Sequence, residues 1–386
     1  MAGNMRTVKF AIPEIIFGRG SLSYAGECAL RLGARKIFLV SDSGIEEAGW
    51  VQSLMDILRE SKIDWVYYSN VTPNPRDFQI EQGAAFYLSN KADVIMAIGG
   101  GSALDTAKGI AILASNGGKI DDYEGANRVD KPLPPMIFIT TTAGSGSDIS
   151  QFCIITDVQR ALKMSIITRT IVPNISIVDP LILRTKPRKL IVESAIDSLA
   201  HAVEAYISRI ASPFTEMQSL KAIELIIQNL KTAVETKSLD SLEKLSIAST
   251  AASMAFSNAG LGAEHALAHS LGGHYDLRHG AVHAILLTAV MRYNLDTCVN
   301  KMCDIGKIIV GKSSGSERET ALAGIEALEG FFSSYNIHHR LRESVDSLDS
   351  RVFESICKMA VHDACNLTNP RKTTWQDFMK ICEEVW

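Results

Sequence analysis

The chain has 386 residues, more than one ordinary core accommodates, so two domains are expected. Apolar residues make up 46% and charged residues 21%, with a formal net charge of −4 and the Lys and Arg scattered. That balance offers no basic face for nucleic acid or an anionic membrane.

Seven cysteines without a CxxC pair argue against a disulfide framework and a cysteine-bound zinc site. The N-terminus, MAGNMRTVKF, lacks an apolar signal core, and no apolar run approaches bilayer length, so the expected location is cytoplasmic.

In chain order, residues 7–17 read as extended and close on Phe17-Gly18-Arg19-Gly20-Ser21, a glycine pair that reads as a turn. A helical pattern follows, then the strand Lys36-Ile37-Phe38-Leu39-Val40, with Asp42 just past its carboxyl end. An acid there suits an adenosine ribose and repels a 2′-phosphate; equally, Asp42 is placed to cap the next helix. After Trp65-Val66-Tyr67-Tyr68 and the turn Thr72-Pro73-Asn74-Pro75 comes the run Val94 to Ile98, leading into GGGSALDTAK, residues 99–108. Three glycines between a strand and a helix let a ligand approach the free amides at the helix start, which points to a pyrophosphate cradle. The strand Met136 to Thr140 then feeds TTTAGSGSD, a second polar lip at the same sheet edge. These features define a nucleotide-binding α/β half.

Beyond Val178-Asp179-Pro180 the strand signals fade. Helical periodicity marks 188–209, 214–234, 240–255, 260–271, 280–295, 316–335, 350–364 and 373–384, with a Gly/Ser loop at 313–316. The expected division is therefore an α/β domain over 1–184 and an all-helical domain over 185–386. On the first of these helices Asp197 and His201 are four residues apart and share a face among apolar neighbours. Five of the nine histidines, His265, His269, His274, His279 and His283, fall between Asn258 and His283. There a helix is expected to break at Gly272-Gly273 and resume after Gly280. One carboxylate with two or three imidazoles makes a metal shell suited to Fe(II) or Zn(II) rather than to Mg or Ca.

GGGSALDTAK, TTTAGSGSD, AIDSLAHAVEAY, MAFSNAGLGAEHALAHSLGGHYDLRHG and the closing DACNLTNPR together resemble the signatures of the iron-containing (group III) alcohol dehydrogenases, in order and over essentially the whole chain. The resemblance implies the dehydroquinate synthase-like fold of that family: an N-terminal α/β dinucleotide-binding domain, an all-α C-terminal metal-binding domain and an active site between them. It implies metal ligation by Asp197, His201, His265 and His279. Catalytic roles fall on His269, as a non-ligand proton relay, and on Asp105. Cofactor positions fall on Asp42, Asn74, Gly100, Gly101, Ser102, Asp105, Thr141, Thr142, Ser145 and Lys163, and Asp42 there implies NAD(H) over NADP(H). A divalent metal, Fe(II) before Zn(II), and a dimeric or larger homo-oligomer are implied as well.

Departures from the family pattern cluster near the expected pocket of Phe152, Phe256, Leu261 and Arg278. Arg278 stands for a usual proline, Glu264 for a hydrophobic residue, His283 for asparagine and Thr288 for proline. Ala195-Ile196 replaces Gly-Met before Asp197, and Gln151 lies near a frequent Lys or Arg. The expected reaction interconverts a short-chain primary alcohol and its aldehyde. An arginine at 278 raises the prospect of an anionic short aldehyde, such as sulfoacetaldehyde or succinic semialdehyde, if it does not simply meet solvent, Glu264 or Asp276. Three alternatives stand beside this: a glycerol or diol dehydrogenase of the same fold, a non-redox sugar-phosphate cyclase holding NAD and metal, and an NAD-binding sensor without turnover.

Overall fold

The computed structural model describes residues 9–312, 315–335, 337, 340–345, 347 and 349–386. Residues 7 and 8 of the expected extended stretch, and Ser313 and Ser314 of the expected loop, lie outside these. The strands are β1 (Glu14–Phe17), β2 (Lys36–Val40), β3 (Asp64–Tyr68), β4 (Val94–Gly99), β5 (Gly125–Ala126), β6 (Met136–Thr140), β7 (Phe152–Asp157), β8 (Leu162–Ile167) and β9 (Ile175–Val178). Between them run helices α1 (Ala25–Arg31), α2 (Ser43–Glu47), α3 (Trp50–Glu60), α4 (Asp77–Asn90) and α5 (Gly101–Asn116).

Six strands form one parallel sheet in the order β1-β9-β6-β4-β2-β3. Its central strands are apolar on both faces because helices cover both. Phe38, Val40, Ile95 and Ala97 pack into one layer, and Ile37, Leu39, Met96 and Ile98 into the other. From β2 the chain moves outward to β3, and from β4 it moves the opposite way to β6. The strand order therefore reverses between β2 and β4, where an open parallel sheet leaves a crevice at its carboxyl edge. Asp42 follows β2 and the triple glycine closes β4, so both expected cofactor segments flank that point.

The second half is helical: α6 (Pro180–Leu183), α7 (Arg188–Ile207), α8 (Pro213–Thr236), α9 (Leu239–Ala259), α10 (Ala263–Tyr275), α11 (His279–Asn294), α12 (Val299–Val310), α13 (Glu317–Ser333), α14 (Ser350–His362) and α15 (Trp375–Glu384). Helix α7 is the spine, buried on nearly every side from Ile191 to Ile207. Two glycines let neighbouring backbone meet it directly. A Cβ on Gly144, in the second polar lip, would sit 2.9 Å from the Ser194 Cα. One on Gly280, in α11, would sit 2.8 Å from the Glu193 carbonyl oxygen.

The structure corrects the sequence reading in three places. Gly272 and Gly273 do not end a helix, since α10 runs on to Tyr275. They make room instead: a Cβ at Gly273 would lie 3.0 Å from the Ala161 oxygen and the Lys163 nitrogen, so the β7–β8 hairpin presses on the helix backbone. That antiparallel hairpin was not anticipated, although it delivers Lys163 to the cleft. Nor was α12, whose Gly306 crosses Gly324 of α13 so closely that a Cβ on Gly324 would lie 2.5 Å from the Gly306 Cα. Among the described residues no helix is long and apolar enough to cross a membrane.

Candidate active site

A cleft of about 540 Å³ opens between the sheet edge and the helices. On the sheet side Gly100 caps α5 in extended conformation, and Gly101 and Ser102 begin the helix facing the cleft. A Cβ on Gly101 would come within 2.9 Å of the Ser145 Cβ, so the two lips already touch and the first must stay bare. The free amides of a sixteen-residue helix thus face a groove fitted to an anion such as a pyrophosphate.

Asp42 caps α2, its Oδ1 accepting the Ile45 N–H at 3.1 Å, and the residue also lines the cleft. Thr142 and Ser145 line the cleft too, but Thr141 does not, being fully buried beneath the lip with no partner for its Oγ1. Asn74 lies at the mouth, where its amide donates to Asp276 Oδ1 at 2.8 Å while Arg76 pairs with the same carboxylate. This clasp joins the loop before α4 to the end of α10 across the cleft.

Asp105 accepts the Ile154 N–H at 3.1 Å through Oδ2, and Oδ1 has no partner. Burial pushes its carboxyl up to about 6. Burial also lowers Lys163 to about 8, partly countered by the charges of Asp276 and Asp197. Lys186, which sequence reasoning passed over, lines the same cleft and feels the Asp42 carboxylate.

The helical side supplies the imidazoles. Asp197 Oδ1 lies 3.5 Å from His201 Nε2, 3.8 Å from His265 Nε2 and 4.0 Å from His279 Nε2. The four expected ligands therefore converge. His283 joins them, its Nε2 being 3.2 Å from Asp197 Oδ1 and 3.3 Å from His279 Nε2. Asp197, His265, His279 and His283 each place a donor atom within 4.8 Å of the others, a grouping that leaves out the expected ligand His201 and takes in His283, which the sequence reading counted in the histidine cluster but not among the implied ligands.

Does this cluster suit a cation? Asp197 Oδ1, His201 Nδ1, His265 Nε2 and His279 Nδ1 are buried without a hydrogen-bond partner. Three buried carboxylates, Asp197, Glu204 and Glu264, find their ion-pair partners in imidazoles. Burial drives His201 down to about 3, which leaves it neutral with one ring nitrogen free to donate a lone pair. Burial alone would raise Asp197, but the surrounding imidazoles outweigh it and hold the carboxylate well below its usual range. An anionic, nitrogen-rich nest of this kind fits a divalent transition metal. It is reached from the cleft on the side of His279, which is 29% exposed.

Glu204 holds the cluster in place and also escaped the sequence reading. It accepts the N–H groups of Gly262 at 3.0 Å and Glu264 at 2.8 Å, and its Oε2 lies 2.7 Å from His265 Nδ1. One carboxylate thus caps α10 and fixes the ring of a ligand that α10 carries. The signal was present in the sequence: Asp197, His201 and Glu204 stand at i, i+4 and i+7, one face of α7.

His269 is oriented by Asp363, whose Oδ2 lies 2.9 Å from its Nδ1, and it stacks on His279 with ring centroids 5.5 Å apart. Phe256 stacks on His201 at 4.1 Å and meets Phe152 edge-on at 5.5 Å, and Leu261 completes this apolar wall. Arg278 lies at the rim, half exposed, paired with the buried Glu193 rather than with Glu264 or Asp276.

A dinucleotide-type crevice facing a buried nitrogen-and-carboxylate metal nest defines a two-domain metal-dependent dehydrogenase, and comparison with known proteins agrees. Residues 13–180 match the family model described as iron-containing alcohol dehydrogenase, and residues 191–386 match that of the family's C-terminal part. The chain is 37% identical over 390 residues to a 1,3-propanediol dehydrogenase of Klebsiella pneumoniae, covering 99% of each chain. It is 34% identical to an NAD-dependent methanol dehydrogenase of Bacillus methanolicus, covering 97% of this chain and 99% of that one. A solved 1,3-propanediol oxidoreductase superposes with a TM-score of 0.94 at 36% identity, covering 99% of this chain and 100% of that one. The chain belongs to the iron-containing alcohol dehydrogenase family.

Asp42 gives a test of the adenosine end. Asp42→Ser keeps a side-chain oxygen to cap α2, so stability is expected to change little, while the charge facing a 2′-phosphate is removed beside Lys186. The ratio of kcat/KM for NADPH to that for NADH is expected to rise by about 10-fold or more, since one unfavourable charge contact is worth upwards of 1.4 kcal/mol. A ratio unchanged in steady-state assays counts against Asp42 as the discriminating residue.

Proposed function

We propose that this protein interconverts short, neutral primary alcohols and their aldehydes with NAD(H), at a divalent metal held by Asp197, His201, His265 and His279. The observation that carries the reading is the convergence of one nitrogen from each of these three rings within 4.0 Å of the buried Asp197 Oδ1, beside the apolar wall of Phe152, Phe256 and Leu261. When bound, the metal supplies a Lewis acid for the substrate oxygen, and the nicotinamide supplies or takes up hydride.

The chain's own residues do the rest. Gly100, Gly101, Ser102, Thr142 and Ser145 anchor the cofactor's phosphates, Asp42 accepts from its ribose, and Lys163 reaches in from β8. Asp105 sits under the cofactor with one carboxylate oxygen tied to the Ile154 amide and acts there as a positioning group. His269 carries a proton between the substrate oxygen and solvent at Nε2, its Nδ1–H donating to Asp363. The aromatic wall excludes water and fits a short carbon chain.

Charge at the rim favours neutral substrates. The Arg278 guanidinium is already met by Glu193, so a carboxylate or sulfonate would have to displace that partner. The relatives described above are, by their names, enzymes of propanediol and methanol. A homo-oligomer is also proposed, to be checked by light scattering.

The decisive experiment is an anaerobic NADH-oxidation screen of Fe(II)- and Zn(II)-loaded protein, comparing propanal with succinic semialdehyde and sulfoacetaldehyde. Higher kcat/KM for propanal is the expected outcome. A preference for the anionic aldehydes, lost in Arg278→Pro, overturns the neutral reading. Absence of turnover despite bound metal and NADH overturns the dehydrogenase reading itself.

A further inference from the structure

We infer that His283, held by Glu264, is a fifth protein donor to the metal, so that the site presents one carboxylate and four imidazoles and prefers six-coordinate Fe(II) to four-coordinate Zn(II). The inference rests on the reading that the Asp197 cluster holds a metal.

Position comes first. His283 follows His279 by four residues on α11, so both rings project from one face toward Asp197. His283 is wholly buried, and so is Glu264.

Hydrogen bonding then fixes the ring. Both Glu264 oxygens lie 2.9 Å from His283 Nδ1. An ionised carboxylate only accepts, so Nδ1 carries the hydrogen and Nε2 is the ring nitrogen turned toward the cluster. That Nε2 lies 3.2 Å from Asp197 Oδ1 and 3.3 Å from His279 Nε2. Despite this closeness Asp197 Oδ1 accepts no hydrogen bond. One donor atom from each of Asp197, His265, His279 and His283 lies within 4.8 Å of the others, the spacing of ligands around a single ion.

The arrangement also repeats one already present. Glu204 orients His265 through Nδ1 just as Glu264 orients His283, the carboxylate–histidine pairing that backs metal-bound imidazoles. It accounts for two departures at once. Glu264 in an apolar position is costly to bury, and His283 in an asparagine position adds volume; each makes sense as the other's partner.

Five protein donors would exceed the number that a tetrahedral site accepts. Catalytic zinc typically takes three protein ligands and one open position, so a crowded nitrogen-rich set disfavours it relative to Fe(II) or Co(II).

The test uses the metal alone. Metal-free full-length protein is titrated with Co(II) under a competing chelator, and the affinity and the visible ligand-field bands are read together; Zn(II) is titrated in parallel. Wild type is expected to show the weak bands of a five- or six-coordinate ion. In His283→Asn the Co(II) affinity is expected to fall by about 10- to 100-fold, with stronger bands and a smaller loss for Zn(II). Glu264→Gln, which preserves shape, is expected to lie between, and it carries the test if His283→Asn does not fold. Co(II) affinity within twofold of wild type and unchanged bands in both variants overturn the inference and leave His283 a proton-sharing neighbour of Asp197. Failure of the wild type to bind Co(II) overturns the metal reading as well, and so separates the two.

Discussion

Asp197→Ala is expected to yield a folded protein that retains no divalent metal and has lost at least about 10³-fold in kcat/KM for alcohol oxidation. Asp197 Oδ1 lies within 4.0 Å of a nitrogen from each of His201, His265, His279 and His283. Removing it leaves four imidazoles without the anion that balances a divalent ion. Lewis-acid stabilisation of a developing alkoxide is worth several kcal/mol, and each 1.36 kcal/mol is tenfold in rate. Metal analysis of the purified variant and steady-state kinetics with added Fe(II) or Zn(II) check this. Wild-type metal content with wild-type turnover would remove Asp197 from the site.

His269→Ala should produce the second largest loss, and of a different kind. The ring lines the cleft and is held at Nδ1 by Asp363, which under the proposed function leaves Nε2 to serve the substrate oxygen rather than the donor cluster. Metal content is therefore expected to stay at the wild-type level while kcat falls by about 10²- to 10⁴-fold, the range for losing a positioned acid–base group. Asp363→Asn, which leaves the imidazole but alters its tether, is expected to cost less. A loss of metal together with activity in His269→Ala would mean that the ring ligates instead.

Much of this site was legible in the sequence because its chemistry lies on helices. Asp197, His201, His265 and His269 are spaced four apart in pairs, and helical periodicity alone puts each pair on one face. The glycine-rich lips were legible because a strand followed by bare backbone and a helix has few other uses. What escaped depended on contacts distant in sequence. Glu204 is buried because α10 begins on top of it. Glu264 and His283 are nineteen residues apart and become partners only once α10 and α11 are packed. Gly272 and Gly273 looked like a helix stop, since the hairpin that requires them arrives from more than a hundred residues earlier. The hairpin itself is short, and α12 carries a glycine at its centre and a polar start, which hid both from a periodicity reading. Arg278 could not be assigned until Glu193 appeared beside it.

The contacts of α7 with Gly144 and Gly280 have a bearing on how the enzyme can be altered. The second polar lip and the helix that carries His279 are both seated directly on successive residues, Ser194 and Glu193, one turn before Asp197. Under the proposed function, the cofactor and the metal would therefore be registered to a single rod, with no side chain as a spacer at either seat. Adaptation to bulkier alcohols is accordingly open through trimming Phe152, Phe256 or Leu261, which reshapes the void and leaves the registration untouched. A single methyl group at position 144 or 280 would instead change the reaction distance for every substrate alike.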